Sequence, residues 1–402
     1  MQIPMEYPSQ DTFEASRKQG ALWRWVLGIV VVLSLFVGLG GVLLKVSYVA
    51  LVPGAARATE DLVVVEGAEV FPSDGEVFFT TVRVRNDINL WEYLWMRAQP
   101  EVDMVPESVI FEGRSVEENR ERNAQLMNDS KAVAVAVALE ELGYDAVVSD
   151  GVLVWELVEG GAAESVIEQF DSIVAIDGEE TLGTEDLVVL LAERSPGDEI
   201  VLTVEPLMVP AEDGSGEIDS KVVRSGRATG RVGASGVEQY EVSVVLGDRE
   251  DAPGQAFLGV APTDRIQFNT DFAFEVDIDS GNVGGPSAGL AFTLAVLDLL
   301  TEGELTGGVD VAVTGTIDSN GQVGKVGGVK QKAAAVRDMG ADLFLVPAAL
   351  DPATLEEIYE VAGESLEVVP VASLDEALAV LADRGGQVDA LEEFAAANSA
   401  TQ

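Results

Sequence analysis

The apolar positions of this 402-residue chain fall into short alternating runs and longer helical patterns. Over the last third, predicted strands and helices lie at residues 272–278, 288–300, 311–317, 343–347, 355–361, 366–371 and 374–381. The run at 288–300 is almost wholly apolar and predicts a buried helix, whereas the run at 311–317 alternates as a strand does. Strands that alternate with helices indicate a compact α+β domain, which we place at residues 252–386, followed by a tail at 387–402.

A second, β-rich pattern occupies the middle of the chain, at residues 144–248. Predicted strands surround one helix at 184–193, and these strands lie at residues 151–157, 171–178, 200–204 and 240–246. The stretch 211–237 is rich in glycine, serine and charged residues, which predicts a long flexible insertion inside the last hairpin. We therefore expect a small β-rich domain here.

The front of the chain predicts a membrane anchor. Residues 25–44 carry no charge and are long enough to cross a bilayer as a helix. More basic residues precede this run than follow it, so residues 1–24 are expected in the cytoplasm and the rest outside. The competing prediction is a cleaved signal peptide, since Ala56, Arg57 and Ala58 loosely resemble a cleavage site. We favour the anchor because the apolar core is too long for a signal peptide.

Residues 45–143 are the least informative part of the sequence. Strand-like runs lie at 63–65, 77–84 and 108–111, and Ser115 with Glu118 forms a capping box that opens a long helix, with a possible break near residues 128–130. This extracytoplasmic α/β segment is either a separate domain or the first part of the C-terminal fold, with the β-rich domain inserted into it.

The amino-acid composition excludes several classes of catalytic and binding site. The chain has no histidine and no cysteine, which excludes a Ser-His-Asp triad, a Cys-His pair and zinc sites built on those ligands. A net charge of −46 argues against nucleic-acid binding. Residues 321–326 lack the spacing of a phosphate-binding loop, and Asp277 and Asp279 lack the rest of a calcium loop. We therefore expect no ATP, no metal and no cofactor.

The glycine-rich turn before the apolar helix holds a candidate nucleophile, Ser287. A serine at a helix start lies beside free backbone N–H groups and the positive end of the helix dipole, which suits an oxyanion. Gly285, Pro286 and Ala288 are the expected backbone contacts of the oxyanion and substrate. The alternative is that Ser287 merely caps its helix.

In a chain without histidine, a serine nucleophile needs a lysine base, and Lys330 and Lys332 compete for that role. If a helix begins at Gly327 and Gly328, Lys332 shares an apolar face with Val329, whereas Lys330 points to solvent. A lysine among apolar groups has a lowered pKa and can accept the serine proton near neutral pH. The pattern therefore favours Lys332.

These two segments together resemble the proteolytic domain of the Lon family, most closely its ATP-independent, membrane-anchored, PDZ-containing branch in Gram-positive bacteria. The resemblance runs through the last third of the chain. It also implies Lys332 as the base, Thr314 as the residue that hydrogen-bonds the lysine, and assembly into a homo-oligomeric ring, typically of six. One departure is Gly284, where ATP-dependent members often carry an acidic residue.

The β-rich domain at 144–248 resembles a bacterial PDZ domain. Such domains add an extended peptide to a sheet edge. The resemblance implies an edge formed by Gly151, Val152, Leu153 and Val154. The alternative is a β-rich spacer that binds no ligand.

The combined hypothesis is a membrane-anchored, ATP-independent serine endopeptidase that uses Ser287, Lys332 and Thr314 on unfolded or flexible extracytoplasmic polypeptides. One rival is a membrane-tethered PDZ scaffold with an inactive protease fold. Another is self-processing within residues 211–237.

Overall fold

We describe the protein from a computed structural model, in which residues 10–207, 220–233, 236–249 and 252–399 are described. The helices, in chain order, are α1 (Gln10–Leu43), α2 (Leu90–Met96), α3 (Glu107–Phe111), α4 (Val116–Glu141), α5 (Thr184–Ala192), α6 (Lys221–Ser225), α7 (Gly289–Leu300), α8 (Val329–Met339), α9 (Pro352–Ala362), α10 (Leu374–Ala382) and α11 (Asp389–Ser399).

The strands, in the same order, are β1 (Tyr48–Ala58), β2 (Val63–Glu66), β3 (Val77–Arg85), β4 (Asp103–Pro106), β5 (Val147–Leu157), β6 (Ser172–Ile176), β7 (Glu179–Glu180), β8 (Glu199–Glu205), β9 (Arg227–Val232), β10 (Glu238–Val245), β11 (Gly247–Asp248), β12 (Ala256–Phe257), β13 (Val260–Phe268), β14 (Glu275–Ile278), β15 (Val311–Val313), β16 (Thr316–Ile317), β17 (Val323–Gly324), β18 (Leu343–Pro347) and β19 (Glu367–Val371). Short 3-10 turns lie at Glu60–Leu62 and Ala162–Ser165.

One mixed sheet combines strands from residues 48–106 with strands from residues 311–371. Its strand order is β19-β18-β15-β3-β1-β4. The C-terminal strands β15, β18 and β19 pair in parallel, β15 also pairs in parallel with β3, and β1 pairs antiparallel with β3 and β4. Strand β14 pairs with β2 in a separate ribbon. The sequence left open whether residues 45–143 form a separate domain or the first part of the C-terminal fold. Because β1, β3 and β4 share a sheet with the C-terminal strands, residues 48–106 belong to the same fold as the C-terminal segment.

Helices cover both faces of this sheet. Alternate strand residues such as Phe79 and Val311 pack against α4, α7 and α10, and Phe79 contacts Phe292 of α7 with ring centroids 5.9 Å apart. The intervening residues, including Phe78 and Ala312, pack against α8 and α9. The result is a three-layer α/β/α unit in which α7 is buried almost throughout, as its apolar sequence predicts.

Helix α4 begins at the predicted capping box. The Ser115 hydroxyl accepts a hydrogen bond from the Glu118 N–H, and the Glu118 carboxylate accepts one from the Ser115 N–H. The helix then continues without a break through residues 128–130, and its second half packs on α7.

A second sheet, with its own core, lies between α4 and β14 in the chain. Its strand order is β13-β5-β6-β8-β10-β9, with β7 paired to β6, and its core includes Leu187 and Leu190 of α5. This is the β-rich unit expected at 144–248, but it also takes β13 from the stretch that we assigned to the C-terminal domain. The chain enters and leaves it at neighbouring points, since Val147 pairs with Phe268.

The expected peptide-binding edge at Gly151, Val152, Leu153 and Val154 is not an edge. These residues belong to β5, which pairs with β13 on one side and with β6 on the other. Strand β13 occupies the backbone groups that an added peptide would need, because Asp264 lies opposite Val152 and Thr263 opposite Leu153. Among the described strands, the edge on this side of the sheet is β13.

The predicted insertion at 211–237 falls partly on residues that lie outside the described ones. Where it is described, the chain forms α6 and β9, and β9 pairs with β10 through Ala228 and Tyr240.

Among the residues that the structure describes, no helix combines the length and the apolar character needed to cross a bilayer.

Candidate active site

Ser287 lies in the turn that leads into α7. The helix begins at Gly289, and its N-cap residue is Ala288, which makes no side-chain capping bond. Ser287 therefore lies just before the cap, and its hydroxyl contacts Lys332 of α8 instead of a helix N–H. The capping alternative does not describe this serine.

Lys332, Ser287 and Thr314 form one hydrogen-bonded group. The Lys332 Nζ lies 2.8 Å from the Ser287 Oγ and 2.8 Å from the Thr314 Oγ1. Thr314 follows directly after β15, where its N–H donates to the Leu345 carbonyl of β18. Central strands therefore fix the threonine, and the helix fixes the lysine.

The Thr314 hydroxyl determines which atoms of this group donate hydrogen bonds and which accept them. Its proton is donated to the Ser287 carbonyl, 3.2 Å away, so its oxygen is left to accept an N–H from Lys332. A neutral lysine that donates to Thr314 has one nitrogen lone pair left, and that lone pair can accept the proton of the Ser287 hydroxyl. The arrangement places an acceptor beside the serine.

Burial makes the neutral form of Lys332 accessible. Only 2% of the residue is exposed, and this burial lowers the pKa of Lys332 from 10.5 to about 7. No described carboxylate is its partner, and position 284 is a glycine that packs closely on Asn123, where an added Cβ would lie 3.1 Å from the Asn123 Cβ. The lysine is therefore not held in its charged form.

Lys330 has a different environment. Its ammonium group pairs with Asp103, and the Glu357 carboxylate lies 3.7 Å away. Its side chain is only 15% exposed and lies against these two carboxylates. The helix-face pattern correctly predicted the burial of Lys332, but Lys330 does not point to solvent as predicted, and Gln331, which we did not place on the buried face, is also buried.

The backbone donors near Ser287 differ from those expected. The Gly285 N–H donates to the Asn123 carbonyl at 2.8 Å, and Pro286 has no N–H, so neither can stabilise an oxyanion. Within the described part of the chain, the N–H groups of Ser287 and Ala288 have no acceptor. Of the three residues predicted to contact the oxyanion, only Ala288 has an N–H group free to donate to it. The N–H group of Ser287, which we did not predict, is also free. Gly285 serves the turn, where its φ of +91° favours glycine.

Helix α4 holds this turn in place, which the sequence did not indicate. The Ser130 hydroxyl donates to the Pro286 carbonyl at 3.1 Å, and the Asn123 carbonyl accepts from Gly285. Gly289 allows close packing, since an added Cβ would lie 3.0 Å from the Ser130 Oγ. The glycines of the motif therefore serve contacts within the protein as much as access for substrate. Asn123 and Ser130 gave no local signal because they lie over 150 residues before the turn.

A cavity of about 550 Å³ opens beside Ser287 and Lys332. Strands β1 and β3 form one wall, α4 another, and the turn at 282–288 with Gly327 and Gly328 a third. Phe79, Ile110, Met127 and Val283 give it an apolar lining. The cavity is large enough for several residues of an extended chain.

The second unit has its own apolar groove, of about 470 Å³, between α5 and the segment that leads into β13. Leu187, Val188, Leu191 and Ala192 line it from the helix, and residues 254–260 with Pro262 line it from the other side. This groove runs beside the free edge of β13, and not beside Gly151 to Val154.

The described residues contain no group of three or more acidic side chains arranged to hold a metal ion.

Residues 264–383 match the family model of the Lon protease (S16) C-terminal proteolytic domain. This region is therefore similar to the Lon-type C-terminal proteolytic domain. A Lon protease of Clostridioides difficile is 42% identical over 94 residues, which cover 23% of this chain and 12% of that protein. A Lon protease of Vibrio parahaemolyticus is 34% identical over 147 residues, which cover 35% of this chain and 18% of that protein. The chain thus spans less than a fifth of the length of these relatives.

Among solved structures, the PDZ domain of an SdrC-like protein from Listeria monocytogenes is similar to 28% of this chain and 87% of its own, with 15% identity and a TM-score of 0.20. The corresponding domain from Listeria innocua gives 17% identity and a TM-score of 0.20.

The burial of Lys332 generates a prediction about pH. The neutral amine is the form that accepts a proton, so the kcat/KM for a peptide without titratable side chains should rise about tenfold per pH unit below 7. It should level off above about pH 8, because the folded pKa of Lys332 is about 7. Steady-state rates from pH 5 to 9 would measure this, with the Ser287→Ala variant as background at each pH. A midpoint near pH 10 would contradict it.

Proposed function

We propose that the protein is an ATP-independent serine endopeptidase in which Ser287 is the nucleophile and Lys332 the general base. The observation that carries the proposal is the Lys332 Nζ, buried and without a carboxylate partner, 2.8 Å from both the Ser287 and the Thr314 hydroxyl oxygens. A Lon-type proteolytic domain at 264–383 supports the same reading.

In the acylation step, the neutral Lys332 amine takes the proton of the Ser287 hydroxyl while the serine oxygen attacks the peptide carbonyl carbon. The negative charge that develops on the carbonyl oxygen is stabilised by the N–H groups of Ser287 and Ala288 at the positive end of α7. The lysine then gives its proton to the leaving amine, the peptide bond breaks, and an ester remains on Ser287.

In the deacylation step, Lys332 takes a proton from a water molecule, which attacks the ester carbonyl. The lysine returns that proton to the serine oxygen, and the acid product leaves. Thr314 touches the lysine throughout and keeps its lone pair directed at Ser287, so it acts as a positioning residue. The chain contains no Walker A motif, so the substrate is a polypeptide that is already unfolded or flexible.

Variants at the three positions and at Lys330 test this proposal. Hydrolysis of casein by the full chain in non-ionic detergent, without ATP, should fall about a thousandfold in Ser287→Ala and in Lys332→Ala. Thr314→Val should lower kcat about tenfold with little change in KM, and Thr314→Ser should restore it.

Lys330→Ala is the matched control for Lys332→Ala, because it removes a lysine from the same helix without touching Ser287. Its activity should stay within about twofold of the wild type. Full activity in Ser287→Ala would refute the proposal. An inert wild type whose second unit still binds peptides would favour the scaffold alternative.

We propose further that the second unit binds the C-terminal tail of a polypeptide in the groove between α5 and β13. The support is the free edge of β13 beside an apolar groove, which is what strand addition with side-chain pockets requires. This places the peptide on the opposite side of β13 from the strand that the sequence suggested.

Two neighbouring valines on α5 provide a matched pair for a binding test. Val188 lines the groove and is 61% exposed, whereas Val189 is 55% exposed and does not line it. Val188→Glu should weaken binding of a fluorescein-labelled decapeptide that ends in three apolar residues at least about tenfold, because a charge would lie in an apolar groove. Val189→Glu should leave the Kd unchanged in fluorescence anisotropy. Equal affinities for both variants would contradict the placement.

We also propose that α1 attaches the protein to a membrane, with the remaining domains outside the cytoplasm. The support is a set of exposed apolar side chains on α1, among them Leu27 at 67% and Phe36 at 73% exposure. Near the end of α1, the indole N–H of Trp91 donates to the Gly38 carbonyl, and Trp95 of the same short helix is exposed, as aromatic residues at a membrane interface are.

Carbonate extraction of expressing cells tests the attachment. The full chain should stay in the membrane pellet, and protease added outside intact cells or spheroplasts should degrade residues 45–402. Recovery in the supernatant would contradict it. Assembly into a ring is carried here by the family resemblance alone, and light scattering of the purified detergent complex would test it, since a mass of one chain excludes a ring.

A further inference from the structure

The charges that line the catalytic cavity are all positive. Apart from the catalytic Lys332, whose neutral form is the base, Arg57 of β1 and Arg83 of β3 are its charged lining residues, and no aspartate or glutamate lines it among the described residues. Yet the chain has 70 acidic residues and only 24 basic ones. The cavity is therefore an exception to the charge of the whole molecule.

Among the described residues, the two arginines have no counter-charge. Arg57 and Arg83 are exposed and form no ion pair with any described residue. Other arginines are paired: Arg85, two residues along the same strand, pairs with Glu92, and Arg265 pairs with Asp150 and Glu205. In a chain so rich in carboxylates, two unpaired arginines beside one cavity are available for a partner outside the protein.

The sheet register places both arginines on the side of Ser287. Arg57 lies directly opposite Phe79, and Arg83 is four residues further along β3, so the three side chains share one face. Phe79 packs on Phe292 of α7, the helix that starts just after Ser287. Four residues of strand separate the two arginines by roughly 13 Å, which is about four residues of an extended substrate.

More unpaired cations lie on the elements that build the cavity. Arg120 and Arg122 are exposed on α4, next to Asn123, and Lys325 is exposed two residues before Gly327. None of the three has an ion pair within the described residues. They do not line the cavity, and the exposed Glu121 lies between the two arginines of α4, so Arg57 and Arg83 carry the inference.

We propose that this site selects polypeptide segments that carry aspartate or glutamate side chains within a few residues of the cleaved bond, with Arg57 and Arg83 as their partners. The inference rests on the proposed protease function. The net charge of the protein repels acidic chains at a distance, but at 0.15 M salt that field is screened beyond about 8 Å. At the short range of a direct contact the attraction persists at low salt, and an arginine pairs well with a carboxylate.

Two internally quenched peptides with amidated ends test this, one with aspartate and glutamate around the cleaved bond and one with asparagine and glutamine at the same positions. The wild-type kcat/KM should be about tenfold higher for the acidic peptide at 20 mM salt, and this ratio should shrink towards one at 0.5 M salt. In the Arg57→Gln, Arg83→Gln double variant the ratio should be close to one at both salt concentrations.

Arg85→Gln is the matched control, because Arg85 lies on the same strand as Arg83, pairs with Glu92 and does not line the cavity. It should keep the wild-type ratio. A third peptide, neutral but with a free C-terminal carboxylate, tests whether the arginines hold a chain end instead. A preference for that peptide over the acidic one would overturn the proposal, as would a wild-type ratio of one.

Binding to Ser287→Ala separates this inference from the protease function. Fluorescence anisotropy should give an affinity about tenfold tighter for the acidic peptide than for the amide peptide. Tighter binding without any cleavage by the wild type would uphold the charge selectivity and refute the protease. Cleavage of both peptides at equal rates would do the reverse, and a wild type that neither binds nor cleaves either peptide would refute both.

Discussion

The site depends on one energetic constraint, which is the cost of keeping a lysine charged in an apolar interior. Lys332 is buried on the face of α8 that packs against the central sheet, and its polar neighbours are two hydroxyl groups. A hydroxyl can satisfy an amine but cannot stabilise an ammonium as a carboxylate would. The fold thereby lowers the pKa of Lys332 to about 7, so that its neutral form can accept the proton of the serine hydroxyl near neutral pH.

The rest of the unit holds that contact in place. Thr314 is fixed at the end of β15 by its hydrogen bond to β18. Ser287 lies in a turn that Asn123 and Ser130 of α4 hold by hydrogen bonds. Gly328 adopts a left-handed conformation, with φ of +66°, where α8 begins. Each member of the group therefore lies on a different element, and the distances hold only when the three layers are assembled.

The sequence predicted what is local and missed what depends on pairing. The turn at Ser287, the buried face of Lys332 and the capping box at Ser115 could be read because their signals lie within a few residues. Arg57, Asn123 and Ser130 could not, because they reach the site through sheet register and helix packing. The assignment of Gly151 to Val154 as an edge failed for the same reason, since β5 looks like an edge until β13 is placed beside it. An alternating run of apolar and polar residues predicts a strand, but it does not predict which strand lies next to it.

The order of strands in the first sheet has a consequence for synthesis of the chain. Strand β3 lies in the middle of that sheet, and its neighbour β15 pairs Val311 with Val77. The whole second unit is made between these two, so an apolar strand edge stays unpaired until most of the polypeptide has left the ribosome. A net charge of −46 opposes association between two copies of the chain, so the acidity that surrounds the finished fold also bears on the interval in which this edge is unpaired.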